Sequence, residues 1–386
     1  MKIIHVINHF DIGGSEQIAV NIAIGFATNG HKCCVLAVRK PSKQSNIGKE
    51  LKARLQRHNV EFFEFGGPNI RMNLLYCPFQ LRSFFRKWQP DIIHSHVDYP
   101  DLMVSLATRL SKFKIARTIQ NCMLWGAHPW VGWVSESGLR DDLIVSVSDG
   151  ASDAYDQLRS KYRLPASTHR VKIHNSISFD GEASSFNHSD LVKQIRAEKG
   201  KRLFCFAGRF THQKGFDILL DSLEKMPDSY REKIKIYAFG DGEERELYLR
   251  RIKEKRLPVA IHPAIAGVQG IFPEFDAVIM PSRYEGFALV SLEASAGGVP
   301  VIGTTAPGQV ETYPPDWPLT VPIENSDALS SLIIKFTDGA FDIGQLKTIA
   351  ENWGKQFTVS RMVSEYEKAY LDYLNSSTKN YGVLTV

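Results

Sequence analysis

Nowhere in the 386 residues is there an unbroken run of about 18 apolar side chains, the length a bilayer-spanning helix needs, so the sequence reads as one without a transmembrane segment. The opening MKIIHVINHFDIGG lacks the apolar stretch and small-residue cleavage site of a signal peptide and reads as a strand entering a glycine turn. Cysteine is scarce. The five are Cys33, Cys34, Cys77, Cys122 and Cys205, an odd number with one adjacent pair and no CxxC. That pattern argues against a disulfide framework and for reduced thiols packed as small hydrophobes in a cytosolic protein. There is no GxGxxG, which leaves a nicotinamide site unsupported. A net charge of only +5 without a recognition motif argues against nucleic acid as a partner.

What remains is the composition of an ordinary globular protein, 43% hydrophobic and 23% charged, in a chain long enough for two or three domains. The charge is unevenly spread: residues 1–180 carry 23 Lys+Arg against 15 Asp+Glu, and residues 181–386 carry 24 against 27. A basic first half suits an anionic partner such as a phosphate or a membrane surface. Short β-branched runs recur, among them IIHVI (3–7), CCVLAV (33–38), DIIHSH (91–96), LFCFA (203–207), IKIYAF (234–239) and DAVIM (276–280). Between them lie stretches with helical spacing. In SEQIAVNIAIGFATNG, Ile18, Ile22 and Phe26 recur every four residues, with Ser15 as the expected N-cap and Gly30 as the stop. Alternating strand and helix implies α/β domains with parallel sheets. The polar NSISFDGEASSFNHSD (175–190) reads as a linker, which places an N-terminal doubly wound domain at 1–178 and a second at 179–358. The amphipathic 359–386 segment is expected to cross back to the first domain, and a ligand is expected in a cleft between the two.

Residues 285–302 read EGFALVSLEASAGGVPVI, with Glu285 and Glu293 eight positions apart in an apolar run. Glu285 follows strand DAVIM, and Glu293 falls inside the next helix, ended by Gly297–Gly298. A buried carboxylate there is expected to be paired or hydrogen-bonded. If the whole interval were helical, the two acids would stand roughly 12 Å apart, the reach from a ribose to a hexose in a nucleotide sugar. AGRFTHQKG places Arg209 after a strand and Lys214 at a helix start, two cations able to neutralise a diphosphate. FDIGGSEQ sets Gly13 and Gly14 between the first strand and first helix, either a close approach to a ligand or a tight turn. His94 and His96 share one face of their strand, and two histidines are too few for a metal site. RMNLLYCPFQLRSFFRKW (71–88) carries Arg71, Arg82, Arg86 and Lys87 and no acid. Pro78 is expected to start a helix whose Leu81, Phe84, Phe85 and Trp88 pack on the sheet, leaving a basic face for an anionic bilayer. Trp125, Trp130 and Trp133 crowd NCMLWGAHPWVGW (121–133); such rings stack on sugars, sit at membrane interfaces or fill cores.

Taken in order, PSRYEGFALVSLEASAGGVPVI, FAGRFTHQKGFDILLDSL, HVINHFDIGGSEQIAVNIA and PDIIHSH resemble the motifs of retaining GT-B glycosyltransferases, in particular glycosyltransferase family 4. The resemblance implies two Rossmann-like domains and a nucleotide-sugar donor, UDP-sugar by analogy, with no cofactor and no metal, in keeping with the absence of DxD. It assigns His96, Arg209, Lys214 and Glu285 to catalysis. Gly13, Gly14, Phe287, Ala288, Leu289 and Glu293 join the donor site, with Glu293 on the ribose. Apart from the resemblance, the sugar-stacking chemistry of the rings makes Trp125 and Trp130 the expected contacts to a saccharide or lipid-linked acceptor. Front-face attack, with a donor phosphate oxygen taking the acceptor's proton, comes from the resemblance alone, as does a place in cell-surface polysaccharide synthesis at the cytoplasmic face of the membrane. FGDGEE (239–244) would border the nucleobase. The chain departs from the family pattern at Asn175–Ser176 and at RTIQN (117–121), where relatives often carry paired histidines; both departures fall on acceptor contacts. A nucleotide-sugar epimerase, a sugar phosphorylase or a silent glycan-binding subunit are the competing readings.

Overall fold

The computed structural model describes all residues except 12, 42–44, 68, 127–128, 140, 178–187, 199 and 379–386, and the backbone alone of 70, 71, 377 and 378. Most of the expected linker therefore lies outside the described residues. The chain forms two units, Met1–Ser176 with Val359–Val386, and Ile177–Thr358.

The first unit is a seven-stranded parallel sheet built from β1 (Lys2–Ile7), β2 (Lys32–Ala37), β3 (Glu61–Glu64), β4 (Ile92–His96), β5 (Ile115–Ile119), β6 (Leu143–Ser146) and β7 (Arg170–Lys172). Their order is β3-β2-β1-β4-β5-β6-β7, so the direction of winding reverses between β1 and β4. The second unit holds β8 (Arg202–Ala207), β9 (Ile234–Phe239), β10 (Val259–His262), β11 (Ala277–Met280), β12 (Val301–Thr304) and β13 (Thr320–Val321) in the order β10-β9-β8-β11-β12-β13, reversing between β8 and β11. Central strands are buried on both faces, which is why they read as continuous apolar runs. At each reversal the following loops part company and leave a crevice at the strands' carboxyl ends, where open α/β sheets hold ligands.

The helix Gly14–Thr28 begins one residue before the expected cap: Gly13 is the N-cap, and Ser15 bonds Glu16 instead. The helix Val359–Thr378 lies against it within the first unit. A Cβ on Gly25 would stand 2.4 Å from Val363, so only glycine permits this approach. Tyr370 stacks on Phe26 at 5.3 Å and reaches His94 with its hydroxyl. The helix Ile70–Trp88 contains Pro78 in its interior, not at its start. Leu81 and Phe85 are fully buried as the spacing implies, but the preceding turns face outward: Leu75 is 60% and Phe79 74% exposed. Among the described residues no helix is long and apolar enough to cross a membrane.

Candidate active site

Loops leaving β8 and β11 bring together side chains more than 70 residues apart in sequence. Lys214 ends a single turn of 3-10 helix, His212–Lys214, and its Nζ donates to both oxygens of Glu285 at 2.7 and 2.9 Å. Ser282 donates to the same carboxylate at 2.7 Å, and Gln213 approaches it at 3.4 Å while donating to the Tyr284 carbonyl. Gly215 adopts φ +63° directly after Lys214, and a Cβ there would meet the Pro281 carbonyl at 2.0 Å. A left-handed glycine is thus what lets the two loops touch. Glu285 is nearly inaccessible, so this ion pair works in a medium of low polarisability, where charge–charge and charge–dipole effects are large.

Arg209 is different. It stands exposed beside Gly208, over which the stem of Lys214 lies, and makes no side-chain hydrogen bond or ion pair with any described residue. A cation left unengaged beside an engaged one is available to an anionic ligand. The FGDG turn backs this loop: Phe210 N–H donates to Asp241 O at 3.0 Å, and a Cβ on Gly240 would collide with the Gly208 carbonyl. Near it, a hollow of about 370 Å³ is lined by Phe239, His262 and Pro263.

Glu293 overturns the expectation of a partner. The helix begins only at Leu289, with Ala288 as N-cap and no side-chain cap, so the three residues after Glu285 are not helical and the straight-helix separation does not apply. Glu293 falls in its fifth position, partly exposed, with no side-chain hydrogen bond to any described residue. Burial pushes its carboxyl up to about 7. Phe287 and Ala288 are buried, the Phe287 ring lying 5.7 Å from that of Phe357, so their contribution to a ligand would come from backbone.

In the first unit, His96 is fully buried at the end of β4. Its Nε2 lies 3.2 Å from Nδ1 of His5 on β1, and its Nδ1 has no partner among the described residues. His94 uses both ring nitrogens, one with Thr118 at 2.6 Å and one with Tyr370 at 2.5 Å. The three rings bring ligand nitrogens within 4.8 Å of one another. Counting two histidines missed His5, which sits on another strand. A metal would have to displace one of the bonds of His94, so the arrangement reads as hydrogen-bonded scaffold. Burial holds all three well below the ordinary imidazole range, neutral at physiological pH. Val97, next in sequence, has φ +70° and ψ 167°, a region almost reserved for glycine; such strain clusters at ligand sites. Gly13 is extended, and the Glu16 carboxylate lies where its Cβ would point. An acid thus occupies the space over this helix start that a phosphate was expected to fill.

Trp125 and Trp130 separate. Trp125 packs into the core, its N–H donating to Asp98 at 3.0 Å and its indole to Glu136 at 3.4 Å, whereas Trp130 is 71% exposed. Trp125→Ala should therefore lower stability by about 3–5 kcal/mol. Trp130→Ala should leave it within ~0.5 kcal/mol. Urea unfolding followed by circular dichroism checks both.

The family description "Glycosyl transferases group 1" matches residues 188–353, and "Glycosyltransferase Family 4" matches residues 12–178. Each half of the chain thus carries its own match, in the order the two sheets follow. The chain belongs to the GT-B glycosyltransferases of family 4. This family 4 glycosyltransferase is 25% identical to the O-antigen biosynthesis glycosyltransferase WclY of Escherichia coli, over 84% of this chain and 92% of that one. It is 23% identical to the lipopolysaccharide core biosynthesis glycosyltransferase LpsE of Rhizobium meliloti, over 80% of each. Among solved structures, Anabaena HepE in complex with UDP superposes with a TM-score of 0.76 at 16% identity, covering 96% of this chain and all of that one. The sequence pointed to Lys214 and Glu285 separately. That they pair, and that Ser282 and Gln213 complete the cage, required the loops in place; the only signal was their position beside the motif residues.

Proposed function

We propose that this glycosyltransferase moves a sugar, with retention, from a UDP-sugar to a saccharide or lipid-linked saccharide acceptor in cell-surface polysaccharide synthesis. The observation that carries the reading is the Lys214–Glu285 pair at the second sheet's switch point, with unengaged Arg209 beside it. Arg209 and Lys214 would neutralise the pyrophosphate as the C1–O bond to phosphate breaks. Glu285 would accept from the sugar's hydroxyls, and Glu293 from those of the ribose. The acceptor oxygen forms the new bond to C1 from the same face, and its proton passes to the departing phosphate oxygen. His96 would offer Nδ1 to the transferred sugar. UDP complexes of HepE, and O-antigen and lipopolysaccharide roles of relatives, support donor and pathway class. Incubation with a panel of nucleotide sugars and lipid-extract acceptors, in EDTA, tests it: product with the donor's anomeric configuration is expected. Sugar interconversion without acceptor, phosphate-dependent turnover, or loss of activity in EDTA would overturn it.

The same reading places the protein at the inner membrane face. Met72, Leu75, Tyr76 and Phe79 recur at helical spacing and all face solvent, in a helix whose charged residues are all basic. An apolar stripe with cations and no acids suits an anionic bilayer. Leu75→Ser/Phe79→Ser should weaken binding to phosphatidylglycerol vesicles about tenfold or more in a flotation assay, given ~1.5–3 kcal/mol for each large apolar side chain buried. Unchanged flotation would remove the membrane from the account.

A further inference from the structure

The carboxyl ends of β1, β4 and β5 enclose a second pocket, of about 180 Å³, made wholly by residues of the first unit. At roughly 30 Å³ per water it has room for about six waters, enough for a single sugar ring. We propose that it is a subsite for one neutral, hydroxyl-rich glycosyl unit of the acceptor, read by Asn8, Gln120 and Asn121 and closed to anions by Asp98. This rests on the transferase reading above and adds to it the chemical class of the acceptor.

Three buried polar atoms on its walls, Asn8 Oδ1, Gln120 Nε2 and Asn121 Oδ1, have no hydrogen-bond partner among the described residues. A buried polar atom left so costs about 1–3 kcal/mol, so three lining one hollow point to a ligand that supplies their bonds. The orientation of Gln120 is set by its neighbour: its Oε1 accepts from Asn175 Nδ2 at 3.0 Å, which leaves the donor Nε2 as the end without a partner. One donor and two acceptors side by side match hydroxyl groups, each of which donates and accepts. Gln120 and Asn121 also fall in RTIQN (117–121), where the sequence departs from the pattern of its relatives.

The charges on the pocket exclude an anion. Its one cation, Arg117, is consumed: the guanidinium donates to Asp101 at 2.8 and 3.1 Å and to Glu136 at 2.6 and 3.0 Å. Asp98 lines the pocket, with one oxygen accepting from the Trp125 N–H. Burial raises its carboxyl only to about 6, so it is mostly ionised at neutral pH. A uronate or sugar phosphate entering here would meet Asp98, with no cation of the lining free to offset it, since Asp101 and Glu136 already hold Arg117.

The test uses the full chain labelled with ¹⁵N in its side-chain amides. The probes are the methyl α-glycosides of glucose, galactose and mannose, against methyl α-glucuronide. At least one neutral glycoside should shift the Gln120 and Asn121 amide signals, and Asn121→Ala and Gln120→Ala should weaken that binding about tenfold or more. Asp98→Asn, which keeps the shape, should improve glucuronide binding about tenfold. If the alanine variants fail to fold, the Asp98→Asn exchange decides alone. The proposal falls if no neutral glycoside perturbs those signals, if the glucuronide binds the natural chain as well, or if the variants bind unchanged. Titration with UDP and turnover of nucleotide sugars, run in parallel, report on the second unit. Glycoside binding without turnover would sink the transferase reading and leave the pocket; turnover without glycoside binding would do the reverse.

Discussion

Glu293→Gln should make the unliganded protein more stable at pH 8 while weakening its hold on UDP. Glu293 lacks a partner, and burial lifts its carboxyl to about 7 from an ordinary value of 4.5. Below pH 4.5 it is protonated in folded and unfolded chains alike, and folding bears no penalty. As the pH rises from 4.5 to 7 the unfolded chain releases the proton first, so stability is lost through that window and stays lost above it. At about 1.4 kcal/mol per unit, the loss is at most about 3.5 kcal/mol, less for the part of the carboxyl that meets water. Glutamine cannot titrate, so the variant should melt several degrees higher at pH 8 and match the natural chain near pH 4.5. The ligand side has the opposite sign. A carboxylate accepting two ribose hydroxyls makes charge-assisted bonds, ~1.5–3 kcal/mol each, and glutamine replaces one of its oxygens with a donor. UDP affinity should fall about tenfold or more. Thermal melts across pH and calorimetric titration with UDP check the two halves. A variant no more stable at pH 8, or one that binds UDP unchanged, would mean that the acid is neither strained when free nor engaged when bound.

That unpartnered acid illustrates where the sequence stopped being readable. The strands were legible because parallel strands buried on both faces have no polar alternation to blur them: Ile234–Phe239 and Ile115–Ile119 fall where the apolar runs lie. Strand β10, reading VAIH, and the two-residue β13 carry too little pattern to stand out. Pro78 misled because a proline normally opens a helix, whereas here the preceding turns stay helical although Leu74, Leu75 and Tyr76 face solvent. Spacing also cannot report pairing across strands. His5 meets His96 because β1 and β4 are neighbours with His5 in register with His94, a fact of sheet order and not of sequence distance. The amide pocket was invisible for the same reason, since Asn8, Asp98 and Gln120 come from three separate strand ends. The motifs located the loops; which side chain answers which depended on the two reversals in strand order.

Lys214→Met should cost both stability and turnover, and adding Glu285→Gln should restore the first without the second. In the natural chain the ammonium sits between two carboxylate oxygens, with the Glu285 side chain 5% and that of Lys214 16% exposed. Methionine keeps the length of the stem but removes the charge, leaving a buried carboxylate without its ammonium partner. Breaking one side of such a pair costs about 3–5 kcal/mol, because the surviving ion cannot regain its hydration. Glutamine at 285 removes that ion, keeps the shape, and still accepts from Ser282, so the double variant should recover most of the lost stability. Turnover follows different physics. The pair is useful only if its charges act on a donor, the ammonium on the pyrophosphate and the carboxylate on the sugar, and neither substitution supplies those charges. Each single change should lower kcat about 10²–10³-fold, and the double variant should stay at least as low. Melting temperature and steady-state rate, measured on the three proteins together, separate the outcomes. If the double variant regained activity along with stability, Lys214 and Glu285 would be structural partners alone and the chemistry would lie elsewhere. If Lys214→Met remained as stable as the natural chain, Glu285 would have found another counter-charge, and the donor-grip reading would need a different cation at its centre.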